Sequence, residues 1–208
     1  MKTRVKICGV TNVADALAAV EAGADALGFN FYEKSPRFVS LKTAAEISKN
    51  LPPFVMRVGV FVDAPEYFIL RAIGESNLTM LQFHGDETPE FCTQFGLMSM
   101  KAFRIRDEKS LAELPKYETE AYLLDAYSAE ARGGTGEKFN WDLAVGAQKF
   151  GKPIFLAGGL TPENVADAVE KVQPFGVDVS SGVESAPGKK DAAKIRAFIQ
   201  AVRQASLE

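Results

Sequence analysis

Apolar residues gather in eight short runs along this chain, beginning near Val5, Ala24, Met56, Met80, Met100, Ala121, Pro153 and Gly176. Between the runs the apolar spacing becomes helical. Val13, Ala16, Leu17 and Val20 stand at i, i+3, i+4 and i+7, as do Val165, Ala168, Val169 and Val172, and again Ile195, Phe198, Ile199 and Val202. Each set forms one apolar helix face. Thr161-Pro162 reads as an N-cap followed by proline at the first helical position. Strands alternating with helices need crossover connections, so the sheet is expected to be parallel. Eight such units predict a single-domain (β/α)8 TIM barrel over residues 1–208. An open doubly wound sheet is the structural rival.

Side chains on a barrel strand alternate between the interior and the helix layer. Val5 and Ile7 share one face of the first strand, and Lys6 and Cys8 the other. In the third run Met56, Val58, Val60 and Val62 oppose Arg57; in the fourth, Leu81 and Phe83 oppose Gln82 and His84; in the eighth, Val177 and Val179 oppose Asp178 and Ser180. With the aliphatic faces on the helices, Lys6, Arg57, Gln82 and Asp178 should point inward. An ion-paired interior follows, because unpaired buried charges are too costly. For Lys6 and Arg57 a structural role is the simpler expectation.

Composition narrows the function classes. The chain has 208 residues, 47% of them hydrophobic, enough for one sizeable core. Its net charge is −3, with no basic block, so no nucleic-acid partner is expected. No apolar run approaches a membrane span, and Met1-Lys2-Thr3-Arg4-Val5-Lys6 carries charges without an apolar secretion segment. Cys8 and Cys92 are the only cysteines and His84 the only histidine. Two thiols make no disulfide framework, so a cytoplasmic home is expected; neither sits in a ligand-spaced cluster, so no metal site is expected. No strand leads into Gly-x-Gly-x-x-Gly, which argues against a dinucleotide cofactor. Leu207-Glu208 reads as a possible cloning scar and carries no weight.

The strongest chemical signal is a pair of turns in the last two strand–helix units: Leu156-Ala157-Gly158-Gly159-Leu160 and Val177-Asp178-Val179-Ser180-Ser181-Gly182. Glycine lets backbone approach a ligand, and a following helix start presents free N–H groups. Each turn alone is an ordinary strand end; the pair matches the usual phosphate site of a (β/α)8 barrel. Chemistry is expected at the C-terminal strand ends, where Cys8 and Asp125 can face each other. A thiol base needs cationic help to ionise, and an aspartic acid needs burial or nearby negative charge to stay protonated. Such a pair suits proton transfer. Taken alone, Cys8 is most simply a small buried strand residue and Asp125 a turn or helix cap. Cys92, in Pro89-Glu90-Phe91-Cys92, reads as helix core.

Arg37 follows Ser35-Pro36; its guanidinium either forks onto a carboxylate or is solvated. His84 either meets substrate or satisfies a polar interior. Arg132-Gly133-Gly134-Thr135-Gly136 lacks P-loop spacing and fits a mobile lid or a plain flexible loop.

Over essentially its whole length the chain resembles the phosphoribosylanthranilate isomerases of tryptophan biosynthesis. The resemblance is carried by Lys6-Ile7-Cys8-Gly9, Gly28-Phe29-Asn30-Phe31 with Ser35-Pro36-Arg37, Gln82-Phe83-His84-Gly85, Asp125 with Gly133-Gly134-Thr135-Gly136, Leu156 to Leu160, and Asp178 to Glu184. Phe83, where leucine is commoner, and Asn140, where aspartate is commoner, are mild departures. The resemblance implies an Amadori rearrangement of a phosphorylated amino-sugar, with Asp125 as general acid and Cys8 as general base. Arg37 would hold the anthranilate carboxylate, with His84 also placed against substrate. Gly158, Gly159, Ser180, Ser181 and Gly182 would hold phosphate, and Asp178 would organise that loop or the interior without moving a proton. It implies no metal and no organic cofactor, and either a monomer or a homodimer. A dual-substrate histidine/tryptophan sugar isomerase would carry aspartate where Cys8 stands. Indoleglycerol-phosphate synthase would need a catalytic lysine and glutamate not matched here, and a metal-dependent epimerase several histidines. A non-catalytic phosphate-binding barrel needs neither Cys8 nor Asp125.

Overall fold

In a computed structural model, described here for residues 2–126 and 141–206 (with the side chain of residue 126 left aside), eight parallel strands close into a barrel. The strands are β1 (Arg4–Cys8), β2 (Ala26–Asn30), β3 (Met56–Phe61), β4 (Met80–Phe83), β5 (Met98–Ile105), β6 (Ala121–Ala126), β7 (Ile154–Ala157) and β8 (Gly176–Val179). Closure is made by β1 on β8, with Lys6 opposite Asp178 and Ile7 opposite Val179. The helices are α1 (Val13–Ala22), α2 (Leu41–Lys49), α3 (Glu66–Ser76), α4 (Pro89–Thr93), α5 (Trp141–Ala147), α6 (Val165–Val172) and α7 (Ala192–Ala205). After β8 a short hairpin, β9 (Glu184–Ala186) and β10 (Lys189–Lys190), precedes α7. The glycine-rich segment Arg132 to Gly136, Asn140, Leu207 and Glu208 lie outside the described residues.

The predicted apolar stripes of α6 and α7 are the buried ones: Val165, Ala168, Val169 and Val172 on α6, and Ile195, Phe198, Ile199 and Val202 on α7, pack into the layer between strands and helices. On α1 only Ala16 of the predicted set is buried, with Ala19 beside it, while Val13, Leu17 and Val20 are half-buried. Between β5 and β6 the connection is not α-helical but a 3₁₀ run, Glu108–Lys116, opened by an Asp107/Ser110 capping box and carrying Pro115 inside. Proline removes an amide donor, which favours a tight, short helix over a regular one. The start of α6 also differs from the sequence expectation. The helix begins at Val165 rather than Pro162. Thr161 Oγ1 still accepts from the Glu163 N–H, but residues 162–164 form a turn ahead of the helix.

The inward and outward faces of β3 correct the parity reading. Val58 belongs to an apolar cluster inside the barrel with Ala26, Met80, Met100, Leu123 and Phe155, and Met56 packs against it. Arg57 therefore points outward. Its Nε donates to the carbonyl of Asn77 at 2.7 Å, the residue that caps the C-terminal end of α3. A cation there meets the negative end of the helix and its unpaired carbonyls. The barrel needs apolar filling at its lower end, away from the mouth, so the aliphatic face of β3 goes in. Above that cluster the interior turns polar. Lys6 donates to Asp178 Oδ1 at 2.8 Å, and both are buried. Gln82 is buried beside them in the same cavity wall as Asp178.

Candidate active site

At the C-terminal mouth lies a cavity of about 280 Å³ whose lining includes Cys8, Arg37, His84, Asp125, Gly158, Gly159, Asp178, Ser180 and Ser181. Residues from β1, β4, β6, β7, β8 and the β2–α2 loop thus meet in one place, although they span most of the sequence. Gly182 is not among the residues that line it. A Cβ there would sit 1.9 Å from the Leu160 carbonyl oxygen, so only glycine lets the β7 and β8 turns touch. Gly158 and Gly159 both take positive φ, 86° and 66°. Asn164 braces this turn: its Nδ2 donates to the Gly159 carbonyl and its Oδ1 accepts from the Thr161 N–H. The Ser180 hydroxyl is buried with no partner among the described residues, a polar atom held ready at the cavity wall.

Cys8 closes β1 in register with Gly28 of β2. A Cβ on Gly28 would come within 2.8 Å of the Cys8 sulfur and 3.1 Å of Lys6 Nζ, so the bare backbone of β2 makes the space in which thiol and ammonium meet. Burial pushes the Cys8 thiol up; Lys6 pulls it down, Asp178 adds to the rise, and Lys190 pulls it down again, with burial prevailing. Burial works against the Lys6 ammonium, yet the negative charge of Asp178, helped by Cys8, holds its pKa above the usual lysine value.

Arg37 does fork onto a carboxylate, but it is the protein's own. Nε and Nη2 donate to the two oxygens of Glu184 at 2.8 and 2.7 Å. Among the described residues no hydrogen bond from Nη1 is found, and Arg37 lines the cavity. Glu184 is buried and also accepts from Lys190 Nζ at 2.9 Å, while Lys190 donates to the Ser180 carbonyl as well. Burial works against ionised Glu184, but its bonds to Arg37 and Lys190 win and its pKa is lowered. The β9–β10 hairpin thus ties the Arg37 loop to the turn that follows β8. Sequence reasoning quoted Glu184 only as part of a motif and did not single out Lys190. The signal that the sequence carries is Pro187-Gly188 between them, a turn that brings residues six apart together as a hairpin.

Asp125 is half-buried at the end of β6, and its Oδ2 lies 3.2 Å from Nε2 of His84. His84 Nδ1 in turn lies 3.1 Å from Gln82 Nε2. Below His84, Lys101 donates to the Gly85 carbonyl and pairs with buried Glu87, whose carboxylate accepts the N–H groups of Asp63 and Gly85. Cys92 lies away from the mouth, packed in the α4 core, where burial pushes its thiol up to about 12.

The family model for N-(5'-phosphoribosyl)anthranilate (PRA) isomerase matches residues 5–201. A protein of that name from Geotalea uraniireducens is 58% identical over 198 residues, covering 95% of this chain and 97% of that one. The crystal structure of phosphoribosyl anthranilate isomerase from Thermotoga maritima superposes with a TM-score of 0.91 at 44% identity, covering 97% of this chain and 99% of that one. A phosphoribosyl anthranilate isomerase in complex with reduced 1-(o-carboxyphenylamino)-1-deoxyribulose 5-phosphate gives 0.88 at 42% identity, over 97% and 99% of the two chains. The chain belongs to the N-(5'-phosphoribosyl)anthranilate isomerase family.

Proposed function

We propose that this chain converts N-(5-phosphoribosyl)anthranilate to 1-(2-carboxyphenylamino)-1-deoxyribulose 5-phosphate, as an isomerase of tryptophan biosynthesis, with Cys8 as base and Asp125 as acid. The observation that carries the reading is the single cavity in which Cys8, Asp125 and the Gly158–Gly159 and Ser180–Ser181 turns meet. Asp125 gives a proton to the furanose ring oxygen, and the bond from that oxygen to C1 breaks. The nitrogen lone pair forms the C1 iminium. Cys8 thiolate takes the C2 proton, and those electrons make the C1–C2 double bond while neutralising nitrogen. The resulting enolamine becomes the ketone by losing its hydroxyl proton and gaining one at C1. The amino-sugar's own nitrogen is the electron sink. The glycine and serine turns hold the phosphate, and Nη1 of Arg37 holds the anthranilate carboxylate. Asp178 counters Lys6 and moves no proton. The test is loss of anthranilate-type fluorescence from freshly generated phosphoribosylanthranilate. Rapid turnover by the chain supports the reading; none from folded protein leaves only phosphate binding.

Glu184 gives a separable prediction. Glu184→Gln keeps the size but loses the two-oxygen acceptor that orients Arg37. KM is expected to rise roughly tenfold, about 1.4 kcal/mol of binding, with a smaller change in kcat. Steady-state kinetics check this, and a fall in kcat alone would contradict it.

The Cys8 environment fixes a pH dependence. The active base is the thiolate, and burial holds the thiol above its ordinary value, so the active form accumulates only as pH rises. The kcat/KM profile should therefore climb into the alkaline range, and iodoacetamide alkylation should follow the same limb. Lys190→Gln removes a cation that favours the thiolate and should move both limbs upward together. A limb below the ordinary thiol value would contradict the assignment.

The substrate is a small molecule. For assembly, we infer a homodimer through the N-terminal pole of the barrel. Phe54, ahead of β3, is 97% exposed, and Met98 and Phe175, at or just before the starts of β5 and β8, are exposed at the same end of the barrel. Large exposed apolar side chains gathered at one pole suit a self-complementary interface. Sedimentation should show a dimer that Phe54→Asp converts to monomer without loss of fold. Cys8 and Cys92 are both free thiols, which suits a reducing cytoplasm. No helix among the described residues is long and apolar enough to cross a membrane.

A further inference from the structure

We infer that Gln82 is a positioning residue: it sets the tautomer of His84 so that His84 serves as a fixed N–H donor to Asp125, rather than as a contact for substrate. The three side chains form a line from the barrel interior to the mouth. Gln82 is buried, 1% exposed, on β4. Its Nε2 sits 3.1 Å from His84 Nδ1, and His84 Nε2 sits 3.2 Å from Asp125 Oδ2. An amide nitrogen can only donate, so Nδ1 must accept and the ring proton must sit on Nε2. The imidazole then donates to Asp125. It stays put because the residue after it is clamped. The Gly85 carbonyl is held by Lys101 and the Gly85 N–H by Glu87.

This arrangement divides the work of the two Asp125 oxygens. Oδ2 is occupied by the His84 N–H, so the proton to be delivered is carried on Oδ1. As that proton leaves, Asp125 becomes a carboxylate and the hydrogen bond from His84 becomes charge-assisted, hence stronger. An interaction that strengthens along the reaction lowers the barrier rather than merely aiding binding. The reversed amide, with Oε1 against Nδ1, would place the ring proton on Nδ1 and leave Nε2 as an acceptor. A neutral ring of that form could not stabilise the carboxylate. In the orientation found, Gln82 Oε1 has no hydrogen-bond partner among the described residues, in a side chain that lines the cavity.

His84 is the only histidine in the chain, so its imidazole ¹⁵N signals need no residue assignment, and the two-bond couplings to Hε1 and Hδ2 tell Nε2 from Nδ1. In uniformly ¹⁵N-labelled wild-type protein under mildly alkaline conditions, Nε2 should show the protonated shift and Nδ1 the unprotonated one. The opposite pattern overturns the inference without any variant. Gln82→Met removes the donor and should abolish the preference. It should also lower kcat by roughly tenfold, the scale of one hydrogen bond, with KM little changed. Gln82→Glu, which presents an acceptor, should reverse the pattern and place the proton on Nδ1. Wild-type kcat in either variant overturns the inference. Because Gln82 acts through Asp125, Gln82→Met should cost nothing further on an Asp125→Asn background. The inference rests on Asp125 as acid, and the outcomes separate. Undiminished turnover in Asp125→Asn removes the acid itself, whereas the wild-type ¹⁵N pattern tests the tautomer whatever Asp125 does.

Discussion

Cys8→Ala and Asp125→Asn are each expected to lower kcat by ~10²–10⁴-fold, the range for losing a general base or acid, while the barrel stays folded. The structure gives each expectation a physical basis. Two buried cations, Lys6 and Lys190, act on Cys8 and favour its thiolate. Alanine removes one sulfur atom from the space that Gly28 leaves open, so the packing loss is small beside the chemical loss. Cys8→Ser is the sharper control. It preserves size, yet a hydroxyl is far harder to ionise than a thiol, so turnover should fall as far as in the alanine variant. A serine variant within tenfold of wild type would mean that another group takes the C2 proton. Asp125→Asn preserves the contact with His84 but carries no acidic proton. The furanose then has no donor for its ring oxygen. Near-ultraviolet circular dichroism and the affinity for a reduced product analogue should be almost unchanged in both variants. That outcome separates chemistry from folding and from phosphate capture.

The readable parts of this chain are those set by local periodicity. The apolar repeat on α6 and α7 marked the buried faces, and the glycine and serine turns after β7 and β8 marked backbone that must approach a neighbour. Parity was readable for β1, β4 and β8, where a polar residue alternates with aliphatic ones. It misled on β3, because a buried barrel strand is apolar on both faces and the pattern cannot say which face is inside. Arg57 went outward because a helix end waited for it there, and that helix end belongs to α3, 20 residues later. The partners of the site were hidden for the same reason. Arg37 and Glu184 are 147 positions apart, and no local rule couples them. Asn164, three residues after Thr161, carries no local signal of its role. Only the turn geometry shows it bracing Gly159.

Lys6→Met should destabilise the fold by about 3–5 kcal/mol, the cost of stranding one partner of a buried ion pair. Lys6 Nζ and Asp178 Oδ1 are 2.8 Å apart, with the lysine side chain 1% exposed and the aspartate side chain 10% exposed. Without the ammonium, the Asp178 carboxylate faces the barrel interior with no counter-charge. Replacing both groups, as in Lys6→Met with Asp178→Leu, should recover most of that loss, because a buried pair exchanged for apolar groups of similar volume is often close to neutral. Urea unfolding at matched m-values measures both effects, and a Lys6→Met loss below about 1 kcal/mol would contradict the pairing. The double variant then asks what the pair is for. If its purpose were stability, the repacked barrel would turn over normally. But Lys6 is also the cation that most favours the Cys8 thiolate, and Met cannot replace it. The repacked protein should be stable, slow to react with iodoacetamide and catalytically weak. A buried ion pair that contributes little net stability is then explained by the thiolate it supports at the mouth of the barrel.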